Sequence, residues 1–304
     1  MQNYYSHGKL LITGEYIVLD GALGLGVPTK RGQSMAIESF DQPILSWKSY
    51  DLNGNIWFEK EFNFRDGVIL LPKEEMSPIS SMLLKIIKIA KDLNPGFLTD
   101  SIGYGVQTAL EFPRDWGLGS SSTLITNLAN WAKIDAYELL KKTFDGSGYD
   151  IACAQSTGPI TYQIDSSGRR IETVEFNPCF SDQLYFVHLN QKQDSIEGIA
   201  HFRRNNADHG GTISKISAIT KLLIQCKSLT NFEGLISKHE SLISELIQTP
   251  TIKERLFADY EGSIKSLGAW GGDFILATAK NDPIPYFSDK GYKTIIPYNE
   301  MVLK

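Results

Sequence analysis

The 304-residue sequence contains only three cysteines, Cys153, Cys179 and Cys226, and none forms a C-x-x-C pair. That spacing excludes a disulfide framework and a zinc ribbon, and it suits a reducing compartment. Histidine is equally scarce at five, with no H-x-x-x-H spacing for a helical metal site. Positive charge is in deficit: 30 Lys and Arg stand against 35 Asp and Glu, a formal charge of −5. A protein that grips nucleic acid through phosphates needs the opposite balance. The basic pairs Lys30-Arg31, Arg169-Arg170 and Arg203-Arg204 are isolated and read as solvated. No apolar run approaches the ~18 residues of a membrane span. No basic segment followed by an unbroken apolar stretch opens the chain, so no signal peptide is expected. The expectation is a cytoplasmic protein with no nucleic-acid or membrane partner; a homodimer stays open.

The remaining pattern is mixed α and β, with length for one large or two medium domains. Residues 9–13 read as a short strand. Asn53-Gly54, between segments 44–50 and 56–62, predicts a hairpin with a type I′ turn. Ser77-Pro78 opens a helix whose apolar stripe includes Leu83, Ile86 and Ala90, and Asn94-Pro95-Gly96 closes it. Ile102, Tyr104, Val106, Leu110 and Phe112 alternate along a strand at 101–112 that stops at Pro113. Helices follow to about Lys133 and over 135–142, then a strand at 160–164 turning at Ser166-Ser167-Gly168. Beyond Phe180 come a strand at 184–189, helices near 212–227, 231–247 and 252–265, and a strand at 274–277. The break in texture places a domain boundary near 180, giving 1–180 and 181–304.

Three segments carry chemistry. Gly117-Leu118-Gly119-Ser120-Ser121-Ser122-Thr123 lies between a strand and a helix. A glycine- and serine-rich turn there presents unpaired backbone N–H groups and the positive end of the helix dipole, which together suit a phosphate. An ordinary serine cap on a tight turn has the same local pattern. Gly8-Lys9-Leu10-Leu11-Ile12-Thr13-Gly14-Glu15-Tyr16 places a lysine at the start of a buried strand and an acid after its end. The lysine is either a solvated edge or a cation for a nearby carboxylate. Gly146-Ser147-Gly148-Tyr149-Asp150 holds Asp150 at a helix start, as a reactive carboxylate or as a cap.

Together these segments resemble the GHMP kinases: the galactokinase, homoserine kinase, mevalonate kinase and phosphomevalonate kinase family. The segment at 8–16 with Val18-Leu19 and Gly21 looks like the first family motif. Pro113 with Gly117 to Ser121 looks like the second, and Gly268-Ala269-Trp270-Gly271-Gly272 looks like the third. The resemblance covers nearly the whole chain, with the motifs in family order. It implies an α+β fold of two lobes: an N-terminal domain like ribosomal protein S5 domain 2 and a ferredoxin-like C-terminal domain.

The resemblance implies ATP and Mg2+ as cofactors and a small acid as phosphoryl acceptor. Pro113, Gly117, Leu118, Gly119, Ser120, Ser121 and Ser122 would bind the nucleotide. Ser121 would help ligate Mg2+, and Glu138 is the nearby candidate for a helix glutamate that also does so; it equally suits an exposed helix acid. Asp150 would orient the acceptor hydroxyl or take its proton. Lys9 would keep Asp150 ionised, since a nearby opposite charge lowers a carboxylate pKa. Glu15, Lys9, Gly271 and Gly272 would line the substrate site.

The sequence departs from the family pattern at several positions. His7 stands where the family usually has proline, Ser122 and Thr123 add hydroxyls after the serine pair, and Trp270 and Asp273 replace small residues. An acid at 273 would repel phosphate unless it turns away. Glu15-Tyr16 and the compact length favour the mevalonate-pathway branch, with mevalonate the leading acceptor. The segment 146–152 leans towards phosphomevalonate kinases, and diphosphomevalonate decarboxylase and a non-catalytic sensor stay as alternatives. Lys9, Lys30, Arg31 and Arg114 are the cations available to an anionic acceptor.

Overall fold

A computed structural model of the chain describes residues 1–65, 68–99, 102–144, 146–191, 195–204, 209–268, 270 and 272–304. Contacts divide it into two compact units that interleave along the sequence. The first unit is Met1–Gly8, Arg31–Arg114 and Gly119–Gln155; the second is Lys9–Lys30, Asp115–Leu118 and Ser156–Lys304. No single cut point therefore separates them.

Two long strands belong partly to each unit, β1 (Gln2–Thr13) and β2 (Gly24–Phe40). In the first unit β2 pairs with β6 (Gly103–Leu110), from Gln33 opposite Leu110 to Phe40 opposite Gly103. Beyond β6 lie β3 (Ile44–Tyr50), β4 (Ile56–Arg65) and β5 (Val68–Leu70), in the order β5-β4-β3-β6-β2. Only the β3–β6 pair is parallel among these. The expected β3–β4 hairpin forms, but its turn differs. Gly54 N–H bonds to Asp51 O (3.0 Å), and within this turn only Gly54 has positive φ. A type I′ turn needs positive φ at two successive residues. Here the Asp51 carboxylate gathers the N–H groups of Asn53 and Asn55 instead.

Helix α1 (Pro78–Leu93) begins as its sequence predicts. Ser77 and Ser80 exchange side-chain to backbone hydrogen bonds in a capping box, with Pro78 at the first helical position. With α2 (Ser120–Ala132), α3 (Ala136–Thr143) and α4 (Tyr149–Gln155) it buries one apolar core that includes Trp47, Phe62, Ile87, Ile125 and Leu128. Burying one such side chain contributes roughly 1.5–3 kcal/mol.

In the second unit, Gly24–Gly26 of β2 pair with β7 (Ile160–Asp165), which pairs with β8 (Gly168–Thr173). A separate sheet has the order β10-β11-β9-β12, from β9 (Leu184–His188), β10 (Ile264–Ser266), β11 (Phe274–Thr278) and β12 (Ile295–Pro297). Its helices are α5 (Ser195–Arg204), α6 (Gly210–Ile224), α7 (Leu229–Ile247), α8 (Ile252–Leu256), α9 (Ile284–Asp289) and α10 (Tyr298–Met301). The helix expected over 252–265 stops at Leu256, because residues from Ile264 join the sheet. The two ends of this unit meet: Leu303 N–H donates to Pro28 O at 2.9 Å, and Thr29 bridges Val302. Among the described residues no helix is long and apolar enough to cross a membrane.

Candidate active site

The glycine loop follows β6 and passes from one unit to the other between Leu118 and Gly119. Gly117 (φ +63°) and Gly119 (φ +88°) both adopt a backbone that L side chains rarely take. Gly119 caps α2, and among the described residues no side chain caps that helix start. The ordinary serine-cap reading therefore fails, and the first-turn N–H groups are left for another acceptor. Ser121 is exposed at this start, Ser120 and Pro113 are half-buried, and Leu118 is buried.

The extra hydroxyls turn inward. Ser122 Oγ donates to Gly119 O (2.9 Å), and Thr123 Oγ1 donates to Gln33 Oε1 (2.8 Å). Asn127 extends this buried network to Gln33 O and Ser6 Oγ. These groups anchor α2, and the Ser122 hydroxyl proton is committed to Gly119 O.

Asp150 lies in the first turn of α4, half-buried. The bond from Ala152 N–H to Gly148 O (3.1 Å) places it two residues past Gly148, so it is not the cap. Helix α4 packs on α2, so one unit holds both the serine-rich helix start and Asp150. Glu138 is exposed in the first turn of α3, behind the Asp135 cap. Among the described residues, no three His, Cys, Asp or Glu side chains converge as a metal cage. Arg114, one of the expected cations, stacks on Trp57 at 3.8 Å.

In the second unit, Lys9 N–H donates to Leu118 O (3.0 Å), which sets the first motif beside the glycine loop. Gly272 is buried, and Gly271 lies outside the described residues. Glu15 has no exposed side-chain surface. It pairs with Lys265, and the same ammonium lies 3.1 Å from Glu240. Helix α7, packed on β10, supplies Glu240 and His239. Ser266 Oγ donates to the second Glu240 oxygen (2.9 Å).

Two carboxylates and one ammonium leave an excess negative charge in a dry interior, which is costly. Burial pushes Glu15 up to about 7, against the pull of Lys265. Burial raises Glu240 as well. Burial disfavours the Lys265 ammonium, but the two carboxylates outweigh it and its pKa is raised. His239 is held well below its usual range by burial and by Lys265. Its Nε2 accepts Gly14 N–H (3.1 Å), so it cannot also donate to Glu15 Oε2, 3.4 Å away. A proton on Glu15 relieves that opposition of two acceptors.

A pH dependence follows. The folded chain keeps a proton on Glu15 up to about pH 7, while an unfolded glutamate releases it near 4.5. The contribution is complete below the unfolded value and is lost as pH rises through the folded one. Melting temperature should therefore decline between pH 5 and 8. Glu15→Gln, which mimics the protonated acid, should flatten that decline; an unchanged slope in thermal melts across this range would clear Glu15 of the effect.

A cleft of about 280 Å³ opens elsewhere in this unit, between Arg170, Gln163, Lys221 and Gln225. Among the described residues, none of the expected site residues lines it.

No family model and no curated protein matches the sequence. Solved structures do match. The Lin0012 protein of Listeria innocua has TM-score 0.73 at 18% identity, over 97% of this chain and 96% of that one. A Streptococcus pneumoniae phosphomevalonate kinase, solved with phosphomevalonate and AMPPNP, has TM-score 0.70 at 17% identity, over 100% and 98%. A mevalonate kinase has TM-score 0.70 at 13% identity, over 97% and 98%. The chain has the GHMP kinase fold. Glu15 belongs to the first glycine-containing segment, while its partners Lys265 and Glu240 lie outside all three of the segments singled out in the sequence.

Proposed function

We propose that this chain is an ATP-dependent small-molecule kinase, transferring the γ-phosphoryl group to an oxygen of a small acid, with mevalonate the first acceptor to test. The observation that carries the reading is the helix start at Gly119, without a side-chain cap, in the same unit as Asp150 on the packed helix α4. A cytoplasmic setting is part of the same proposal.

Phosphoryl transfer asks a protein mainly for positioning and charge neutralisation. The donor set fits Mg2+-ATP: first-turn amides and two glycines suit phosphates, and the exposed Ser121 hydroxyl suits the cation. When bound, ATP supplies the phosphoryl group and Mg2+ offsets its charge. The loop amides hold the phosphates. Lys9, tied to Leu118 by its backbone, adds positive charge at the loop. Asp150 orients the acceptor hydroxyl and receives its proton as the new O–P bond forms and the bond to ADP breaks.

Phosphomevalonate is the second acceptor, favoured by the segment 146–152 and by the full-length likeness to a kinase solved with that compound. The test is ADP release from Mg2+-ATP with mevalonate, phosphomevalonate, diphosphomevalonate, homoserine and galactose offered separately. Release with mevalonate alone supports the first reading, and release with phosphomevalonate alone moves the assignment to the second. CO2 with diphosphomevalonate would mean a decarboxylase. ATP binding without release on any acceptor would favour a sensor.

A further inference from the structure

Tyr16 has φ +60° and ψ −52°, a combination that costs any side-chain-bearing residue. Ile17 N–H reaches back across it to Glu15 O at 2.6 Å. This is the rarer, strained sense of γ-turn. Such a turn persists only where its surroundings hold it. Glu15 is held by Lys265, and the Tyr16 ring stacks on Phe202 with centroids 5.8 Å apart and planes at 26°. The Tyr16 hydroxyl accepts the backbone N–H of Trp270 at 2.9 Å. The turn thus aims this side chain at the third glycine-rich segment.

Two further groups of contacts in the same unit involve Trp270 and Asp273. The Trp270 indole is buried and donates to Pro250 O at 3.3 Å. Asp273 has φ +53°, donates its N–H to Gln191 O (2.7 Å), and accepts Leu189 N–H (2.8 Å). Its carboxylate lies against Gly117: a Cβ there would sit 2.3 Å from the carboxyl carbon. The acid that departs from the family pattern therefore packs against the glycine loop itself.

We propose that Tyr16 is a positioning residue for the nucleotide loop: its hydroxyl holds the Trp270 backbone, three positions before Asp273, whose carboxylate packs on Gly117. This rests on the kinase reading. The strained turn is kept because a relaxed backbone would carry the hydroxyl away from Trp270.

The experiment measures Mg2+-ATP affinity and melting temperature for the natural chain and two variants. Tyr16→Phe keeps the ring and removes the hydroxyl. Gly198→Ala leaves Tyr16 intact but places a methyl 2.8 Å from that hydroxyl, displacing it. It also improves helix propensity in α5, so it separates position from stability. Both should bind Mg2+-ATP about fivefold more weakly, the scale of one lost hydrogen bond, with melting temperature little changed. Unchanged affinity in both, or affinity lost only in step with melting temperature, overturns the proposal. A natural chain that binds no nucleotide overturns the kinase reading itself and takes the proposal with it.

Discussion

Asp150→Asn should lower turnover by roughly two to four orders of magnitude, the range ascribed to a positioned general acid or base, while leaving Mg2+-ATP affinity nearly intact. The substitution keeps side-chain shape and one acceptor oxygen, so the first turn of α4 loses only a charge near a helix N-terminus, worth about 0.3–1 kcal/mol. The groups proposed to bind phosphates lie on the glycine loop and the start of α2, which this change does not touch. Steady-state ADP release, paired with nucleotide titration, separates the two effects. Turnover near that of the natural chain would remove Asp150 from the chemistry.

Lys265→Met should be the most damaging single change to stability. It removes the ammonium that Glu15 and Glu240 share and leaves two buried carboxylates near each other. Breaking one member of a buried pair costs about 3–5 kcal/mol. For a protein of this size that is of order 10 °C in melting temperature. The loss should be larger at pH 8 than at pH 5, since acid protonates the orphaned carboxylates. Adding Glu15→Gln and Glu240→Gln to the same chain should recover much of it, because no uncompensated charge then remains. A Lys265→Met chain as stable as its parent at pH 8 would mean the cluster is not the close-packed ionic group described.

Local features of the sequence were legible where local physics decides them. The Ser77-Pro78 helix start, the hairpin across Asn53-Gly54 and the helix after Gly119 each depend on neighbours in sequence. Strand β2 was not legible. Both of its faces are buried over Gly24–Thr29, so it lacks the alternation that marks a half-buried strand. Pro28 and three glycines also interrupt it. Helix α5 was not legible either. Lys265 reads locally as a solvated lysine near a helix end, and its partner Glu15 is 250 positions away. Nothing near either residue signals the other. The role expected for Glu15 on a substrate surface meets a side chain enclosed by Lys265, Glu240 and His239. The hydroxyls of Ser122 and Thr123 are visible in the sequence but their direction is not: Gly119 O takes the first and Gln33, from β2, the second.

The interleaving of the two units has a consequence for how the chain is made. Everything the first unit needs has been synthesised once Gln155 leaves the ribosome. Residues 9–30 belong to the second unit and must wait for partners as late as Val302 and Leu303. Because chains are made from the N-terminus at roughly 5–20 residues per second, that early segment, with the buried Leu10, Leu11 and Ile12, spends many seconds without its C-terminal partners. It is the stretch where a nascent-chain chaperone would find its longest-lived apolar target.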